Sequence, residues 1–178
     1  MNEGLIAGRY ARALLVTLAG QDSLGEKCYR EAKAVLPLLE ENGELLKELL
    51  ENVLLTEAQR VRGIAGVFRE YAPSLETFAT FLVQKGRGGY LLNALRMFQD
   101  MYRAQRGIVS VEMVSAVELG DMQTEALRSY VSARFGSQVE LASRVDAQLI
   151  GGFQLQVADQ LLDRSVRSEL DAIAHQMV

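Results

Sequence analysis

Apolar residues crowd the start of this chain more densely than a one-sided helix requires. Between Leu5 and Ala19 only Arg9, Arg12 and Thr17 are polar. At 100° per residue, the positions from Ala13 through Leu14 and Leu18 to Ala19 sweep roughly 240° of the helix cylinder. A surface helix of a monomeric domain needs an apolar stripe of only about 100°. This first helix is therefore expected to be buried on nearly all sides. Either it is the central helix of its own bundle, or one face meets its own domain and another meets a partner.

Further helical patterns follow in close succession. Gly20 ends the first, and Gln21 to Ser23 form a turn before a second helix from about Leu24 to Glu41, which Pro37 is expected to kink or split. A short acidic helix covers Glu44 to Asn52. Thr56 and Gln59 make a capping-box pattern that opens a fourth helix ending near Tyr71. Pro73 and Ser74 restart the chain into a fifth helix, Leu75 to Lys85, and a glycine-rich break leads to a sixth, Tyr90 to Arg106. The period then changes. Ile108 to Ser115 reads as a strand, Asp121 to Phe135 as a helix with Leu127, Tyr130, Val131 and Phe135 inward, and Val139 to Ala142 as a short strand. Gly151 and Gly152 lead an alternating strand through Phe153, Leu155 and Val157. Asp159 and Gln160 turn it into Leu161 and Leu162, and Asp163 or Ser165 caps a last helix, Val166 to Met177. The expected fold is mainly α: a six-helix N-terminal bundle over residues 1–106, then a small α/β domain over residues 107–178.

Composition narrows the function classes. The net charge of −4 and pI near 5.2 disfavour nucleic acid or an anionic membrane as the partner. The single cysteine, Cys28, rules out an intramolecular disulfide and a cysteine-based zinc site, and it suits a reducing compartment. No apolar run reaches the 18 or so residues of a membrane span. Arg9 and Arg12 lie inside the apolar run rather than before it, so the N-terminus reads as mature protein folded in the cytosol.

Candidate chemistry is thin. His175 is the only histidine, three residues from the C-terminus, and reads as a solvated side chain rather than a general base. Cys28 lacks a histidine nearby in sequence and reads as a small buried apolar residue. Gly86, Gly88 and Gly89 lie between two helices without a following Lys-Ser/Thr, which fits a tight turn and not a phosphate loop. Gly151 and Gly152 open a strand, where glycine marks a bulge or a close approach. Asp146, Asp159 and Asp163 sit at turns or a helix start, as aspartates do for local hydrogen bonding, and not as metal ligands. No catalytic residue, cofactor or metal is assigned. Residues 85–106 carry Lys85, Arg87, Arg96, Arg103 and Arg106 against Asp100; this basic segment is either a solvated face or a surface for an acidic partner.

Two aromatics bear on the first helix. Phe81 lies about 60° from Phe78 on the helical wheel, at the edge of the stripe formed by Leu75, Phe78, Ala79, Leu82 and Val83. Tyr10 poses the same question on the first helix. Both are explained by packing within a six-helix core, or by a groove between helices one and five that receives an amphipathic helix from another protein.

Several segments carry a family likeness. Arg9-Tyr10-Ala11-Arg12-Ala13-Leu14 resembles the opening of the delta subunit of F-type ATP synthases, the family that includes the mitochondrial oligomycin-sensitivity-conferring protein. Lys85-Gly86-Arg87 resembles that family's helix-five terminus, and Val114 to Leu119 its strand leading into a helix. The most specific match is Val145-Asp146-Ala147-Gln148-Leu149-Ile150-Gly151-Gly152-Phe153 with Asp163-Arg164-Ser165-Val166-Arg167-Ser168-Glu169-Leu170. The likeness covers essentially the whole chain. Ala158-Asp159 stands where the family usually has Gly-Asp, and Gly120 where it commonly has Ser or Thr.

The resemblance implies a non-catalytic stator subunit of the proton-translocating ATP synthase. It would sit peripherally at the cytoplasmic face of the cell membrane, in the peripheral stalk, without inserting into the membrane or binding nucleic acid. The N-terminal domain would grip the N-terminal helix of an alpha subunit in a groove between helices one and five, and the C-terminal domain would meet the b subunits of the stalk. Carried over by position, the groove includes Tyr10, Ala11, Leu14, Phe78, Phe81 and Leu82. Such a subunit ties the catalytic head to the stalk, so that rotor torque drives ATP synthesis and hydrogen ion transport.

Overall fold

The computed structural model describes residues 3–52, 54–117, 120–135, 138–146, 149–157 and 160–168. The chain divides into two compact units, Met1–Tyr102 and Arg103–Val178. The division falls inside the sixth α-helix, about one turn before the Arg106–Gly107 junction expected from the change of period.

The first unit is built from α1 (Glu3–Thr17), α2 (Asp22–Glu41), α3 (Gly43–Glu51), α4 (Glu57–Tyr71), α5 (Glu76–Gln84) and α6 (Leu91–Arg106), the last running into the junction. Two 3-10 turns, Pro73–Leu75 and Gly88–Tyr90, lead into α5 and α6, so eight helical segments precede the first strand among the described residues. The extra segments arise where Pro73 and the glycines at 88 and 89 begin a helix with tighter bonding before it settles. Pro37 neither splits nor ends α2; it lies on the exposed face, where water can serve the carbonyl left without an amide partner. Thr56 and Gln59 form both halves of a capping box at the start of α4.

The core of this unit is lined by Ile64 and Phe68 of α4, Leu75 and Leu82 around α5, and Leu91, Leu95 and Phe98 of α6. Tyr29 of α2 stacks on Tyr102 of α6 with ring centroids 4.8 Å apart. Among the described residues of α1 only Ala7 and Ala11 are fully buried, with Leu18 buried just past its end, whereas Leu5 and Val16 are 60% and 66% exposed. The expectation that α1 is buried on nearly all sides is therefore corrected. Its small residues let it lie close against the bundle along one narrow strip, and the wide apolar arc remains partly open.

The second unit contains β1 (Ile108–Ser115), α7 (Asp121–Phe135), β2 (Gln138–Val145), β3 (Gly152–Val157) and β4 (Gln160–Ser165). The strand order is β2-β1-β3-β4. β1 pairs parallel with β2 and antiparallel with β3, and β3 pairs antiparallel with β4. Parallel neighbours need a crossover, which α7 supplies. Val111, Met113, Leu155 and Val157 share one face of the sheet with Val131 of α7 as their core. Tyr130, expected inward, is 61% exposed, because Val131 and Leu127 take the sheet-facing positions of α7. β4 takes in Gln160, expected in the turn, and the Leu161 and Leu162 that follow it, for which no strand was expected. The last helix is described only over residues 166–168, so Leu170 onward, including His175, lies outside the described residues, as do Ala158 and Asp159.

Candidate partner-binding site

Ser74 fixes where α5 begins. Its backbone N–H donates to one carboxylate oxygen of Glu31 at 2.8 Å, and its hydroxyl donates to the other at 3.0 Å. Glu31 belongs to α2, so a side chain distant in sequence caps the turn that feeds α5, where negative charge is favoured. Lys27, one turn back on α2, lies 3.9 Å from the same carboxylate. Cys28 is buried alongside and its Sγ lies 3.9 Å from the Ser74 carbonyl. Burial first, then the Glu31 charge, pushes the Cys28 thiol up to about 11, partly opposed by Lys27. An un-ionised thiol in this setting is not a nucleophile.

From that start α5 carries Phe81 to Tyr10 of α1. Phe81 and Tyr10 meet edge to face, with ring centroids 6.4 Å apart and planes at 69°. Phe81 is 43% exposed, and the Lys85 ammonium lies 5.6 Å from its ring centre. Tyr10, Leu14 and Phe78 are half-buried. Ala11 and Leu82 show no accessible surface. The six residues singled out from the sequence thus divide into four that reach the surface and two that do not.

The glycines after α5 serve the turn. Gly86 has φ 66°, and Arg87 N–H donates to Leu82 O at 2.8 Å, closing the helix end. A Cβ on Gly88 would come within 2.8 Å of Leu50, so α3 packs directly on this turn. The basic segment beyond is partly satisfied within the molecule, since Arg96 pairs with Glu40 at 2.8 Å.

The C-terminal motifs are architectural. Gly151 N–H donates to Leu149 O at 2.7 Å around Ile150, whose φ is 65°. That is a three-residue turn of the rarer, strained hand, unusual for a β-branched residue. Gly151 must be small because a Cβ would stand 3.0 Å from Val166, and Gly152 takes φ 78° as it opens β3. Asp163 accepts from the Ser168 hydroxyl, from Ser165 N–H at 2.8 Å and from the Gln154 amide at 2.9 Å. These bonds, the Ser168 hydroxyl foremost, hold its carboxyl far below the usual carboxylate range. Its oxygens are committed to the start of the final helix. Gly120 opens α7 as an acceptable substitute for Ser or Thr, with the Gln123 side chain reaching back to its N–H at 3.1 Å.

Among the described residues, no three His, Cys, Asp or Glu side chains converge to hold a metal, and no helix is long and apolar enough to cross a membrane. The edge of Phe81 stands open beside Tyr10 at the surface of this helical unit. The family model for the ATP synthase delta (OSCP) subunit matches residues 6–177. The chain is 31% identical over 174 residues to the ATP synthase subunit delta of Symbiobacterium thermophilum, covering 97% of this chain and 92% of that one. It is 34% identical over 166 residues to the corresponding subunit of Trichormus variabilis, covering 93% and 90%. A chain in the cryo-EM structure of the Toxoplasma gondii mitochondrial ATP synthase hexamer superposes with a TM-score of 0.71 at 22% identity, over 96% of both chains. The chain belongs to the ATP synthase delta (OSCP) subunit family. Its role is that of a non-catalytic stator subunit of the F-type ATP synthase.

Sequence reasoning overlooked Lys85 as the cation over Phe81, although its i+4 spacing is a signal for such contact. It also overlooked the second flank of α1, where Met97 of α6 approaches Gly8.

Proposed function

We propose that the first unit, a six-helix bundle in its main elements, receives the N-terminal helix of an ATP synthase alpha subunit in the groove between α1 and α5. Tyr10, Leu14, Phe78 and Phe81 make the contact, over a floor of Ala11 and Leu82. The C-terminal domain, residues 107–178, meets the b subunits of the peripheral stalk. In this arrangement the subunit stands peripherally at the cytoplasmic face of the membrane and resists the torque that the rotor applies to the catalytic head. The task calls for affinity without turnover, and a helix clasped on apolar side chains meets it.

One observation carries the reading. Phe81 keeps a 43% exposed ring at the bundle surface, steadied by Tyr10 on one side and Lys85 on the other. A large aromatic held in place yet left open is the form that an interface anchor takes. Calorimetry of the full-length chain with a synthetic peptide of the alpha-subunit N-terminus is the test. Micromolar or tighter binding is expected, lowered about tenfold or more by Phe81→Asp, since a carboxylate would have to be desolvated. No heat of binding at micromolar peptide would refute the groove.

A further inference from the structure

The outer face and second flank of α1 are unaccounted for by the groove. Tyr10 turns toward Phe81 of α5, while Gly8, roughly 160° around the helix from Tyr10, turns toward Met97 of α6. Along this second flank runs a cleft of about 290 Å³. Leu5, Gly8, Arg9 and Arg12 line it from α1, and Met97 and Met101 from α6. A Cβ on Gly8 would lie 3.3 Å from the Met97 methyl, so the absent side chain makes the room.

Three properties of the cleft point the same way. Leu5 at its mouth is 60% exposed, and Val16 further along the same face is 66% exposed. Met97 and Met101 stand one helical turn apart, flexible thioethers suited to fitting a partner's apolar side chains. Arg9 and Arg12, also one turn apart, are exposed. A cationic pair with an apolar strip between is conspicuous on a chain whose net charge is −4.

We propose that this α1–α6 cleft is a second docking site, for an acidic amphipathic helix belonging to another subunit of the ATP synthase complex. The proposal rests on membership of the stator and is independent of the α1–α5 groove. The occupant presents apolar residues at i, i+3 and i+4 to Leu5, Met97 and Met101. Carboxylates on adjacent turns face Arg9 and Arg12. Gly8 lets its backbone approach closely. From Leu5 to Arg12 the cleft runs about 10 Å, enough for two turns of the incoming helix. The apolar contact supplies the affinity; the arginines set direction and make association sensitive to salt. α1 would then hold one subunit on each flank, which accounts for an apolar arc too wide for its own bundle.

The test places a photo-crosslinking benzoylphenylalanine in the full-length chain at position 5 or, separately, at position 81. Each protein is assembled into ATP synthase stripped of this subunit, irradiated, and its crosslinked peptides identified by mass spectrometry. Position 5 is expected to label a helical segment bearing at least two carboxylates, distinct from the segment labelled from position 81. The double change Arg9→Glu and Arg12→Glu, at exposed positions, is expected to lower that labelling about fivefold or more, and to leave labelling from position 81 unchanged. Labelling of lipid, of a second copy of this chain, or of the same segment from both positions overturns the proposal. So does the absence of any protein crosslink from position 5, or insensitivity to the arginine changes. Labelling from position 5 alone sustains the cleft and refutes the groove.

Discussion

Glu31 grips Ser74 with both carboxylate oxygens, 2.8 Å from the backbone nitrogen and 3.0 Å from the hydroxyl. The glutamate side chain is only 12% exposed, so its charge is compensated mainly by these donors and by Lys27. Glu31→Ala leaves the Ser74 N–H without its acceptor. A loss of about 1–3 kcal/mol in stability is expected, the range for charge-assisted bonds. Glu31→Gln retains one acceptor and is expected to lose less. Urea denaturation followed by circular dichroism measures both; equal stability of the three proteins would show that the cap contributes nothing.

Tyr10 and Phe81 separate stability from binding. Because Phe81 is 43% exposed, Phe81→Ala should cost the free protein less than the roughly 3–5 kcal/mol of a core phenylalanine. The same change should nonetheless abolish most of the affinity for the alpha-subunit peptide. A double-mutant cycle with Tyr10→Leu is expected to return a coupling of about 0.5–1.5 kcal/mol for the edge-to-face pair. A coupling near zero in the peptide-free protein would mean that the rings meet without stabilising each other.

Asp163 gives the second unit an acid-side weakness. Its folded carboxyl titrates below its unfolded value, so its contribution is present at neutral pH and is lost as pH falls from about 4 toward the folded value. Asp163→Asn removes this contribution. The variant should be less stable at pH 7 and lose less between pH 5 and 2 than the parent. Thermal unfolding across that range, monitored on signals from the second unit, checks the slope.

Cys28 should be chemically silent in the folded protein. Its thiol is raised to about 11, so at pH 8 almost none is thiolate. Reaction with an aromatic disulfide reagent is expected to be slow in buffer and fast in denaturant. The folded state keeps the neutral thiol, so stability from this group is full below pH 9 and is lost as pH rises toward 11. Rapid native labelling would contradict the burial.

What the sequence disclosed followed from strong periodicity and local chemistry. The Thr56–Gln59 box, β1 and α7 emerge because capping and alternation are written within a few residues. The pairing of Tyr10 with Phe81 could be suspected from the position of Phe81 on its helical wheel. That Ala11 and Leu82 are wholly buried could not, because depth depends on neighbouring helices. β4 was hidden for a similar reason. Gln160 to Ser165 does not alternate, and Asp163 reads as a cap; pairing with β3 makes it a strand. The role of Glu31 was invisible, since its partner lies 43 residues away.

The order β2-β1-β3-β4 also sets a schedule for synthesis. The first unit, in which Tyr10 meets Phe81 and Tyr29 stacks on Tyr102, can close once α6 has been made and while the rest of the chain is still on the ribosome. β1 emerges next but finds neither neighbour ready. Its parallel partner arrives only after α7 has been made, and its antiparallel partner later still. A nascent chain stalled near residue 135 would therefore present a finished helical unit trailing one unpaired strand. The tail of the protein, and not its apolar first helix, is where a translating cell has most reason to shield the newborn subunit.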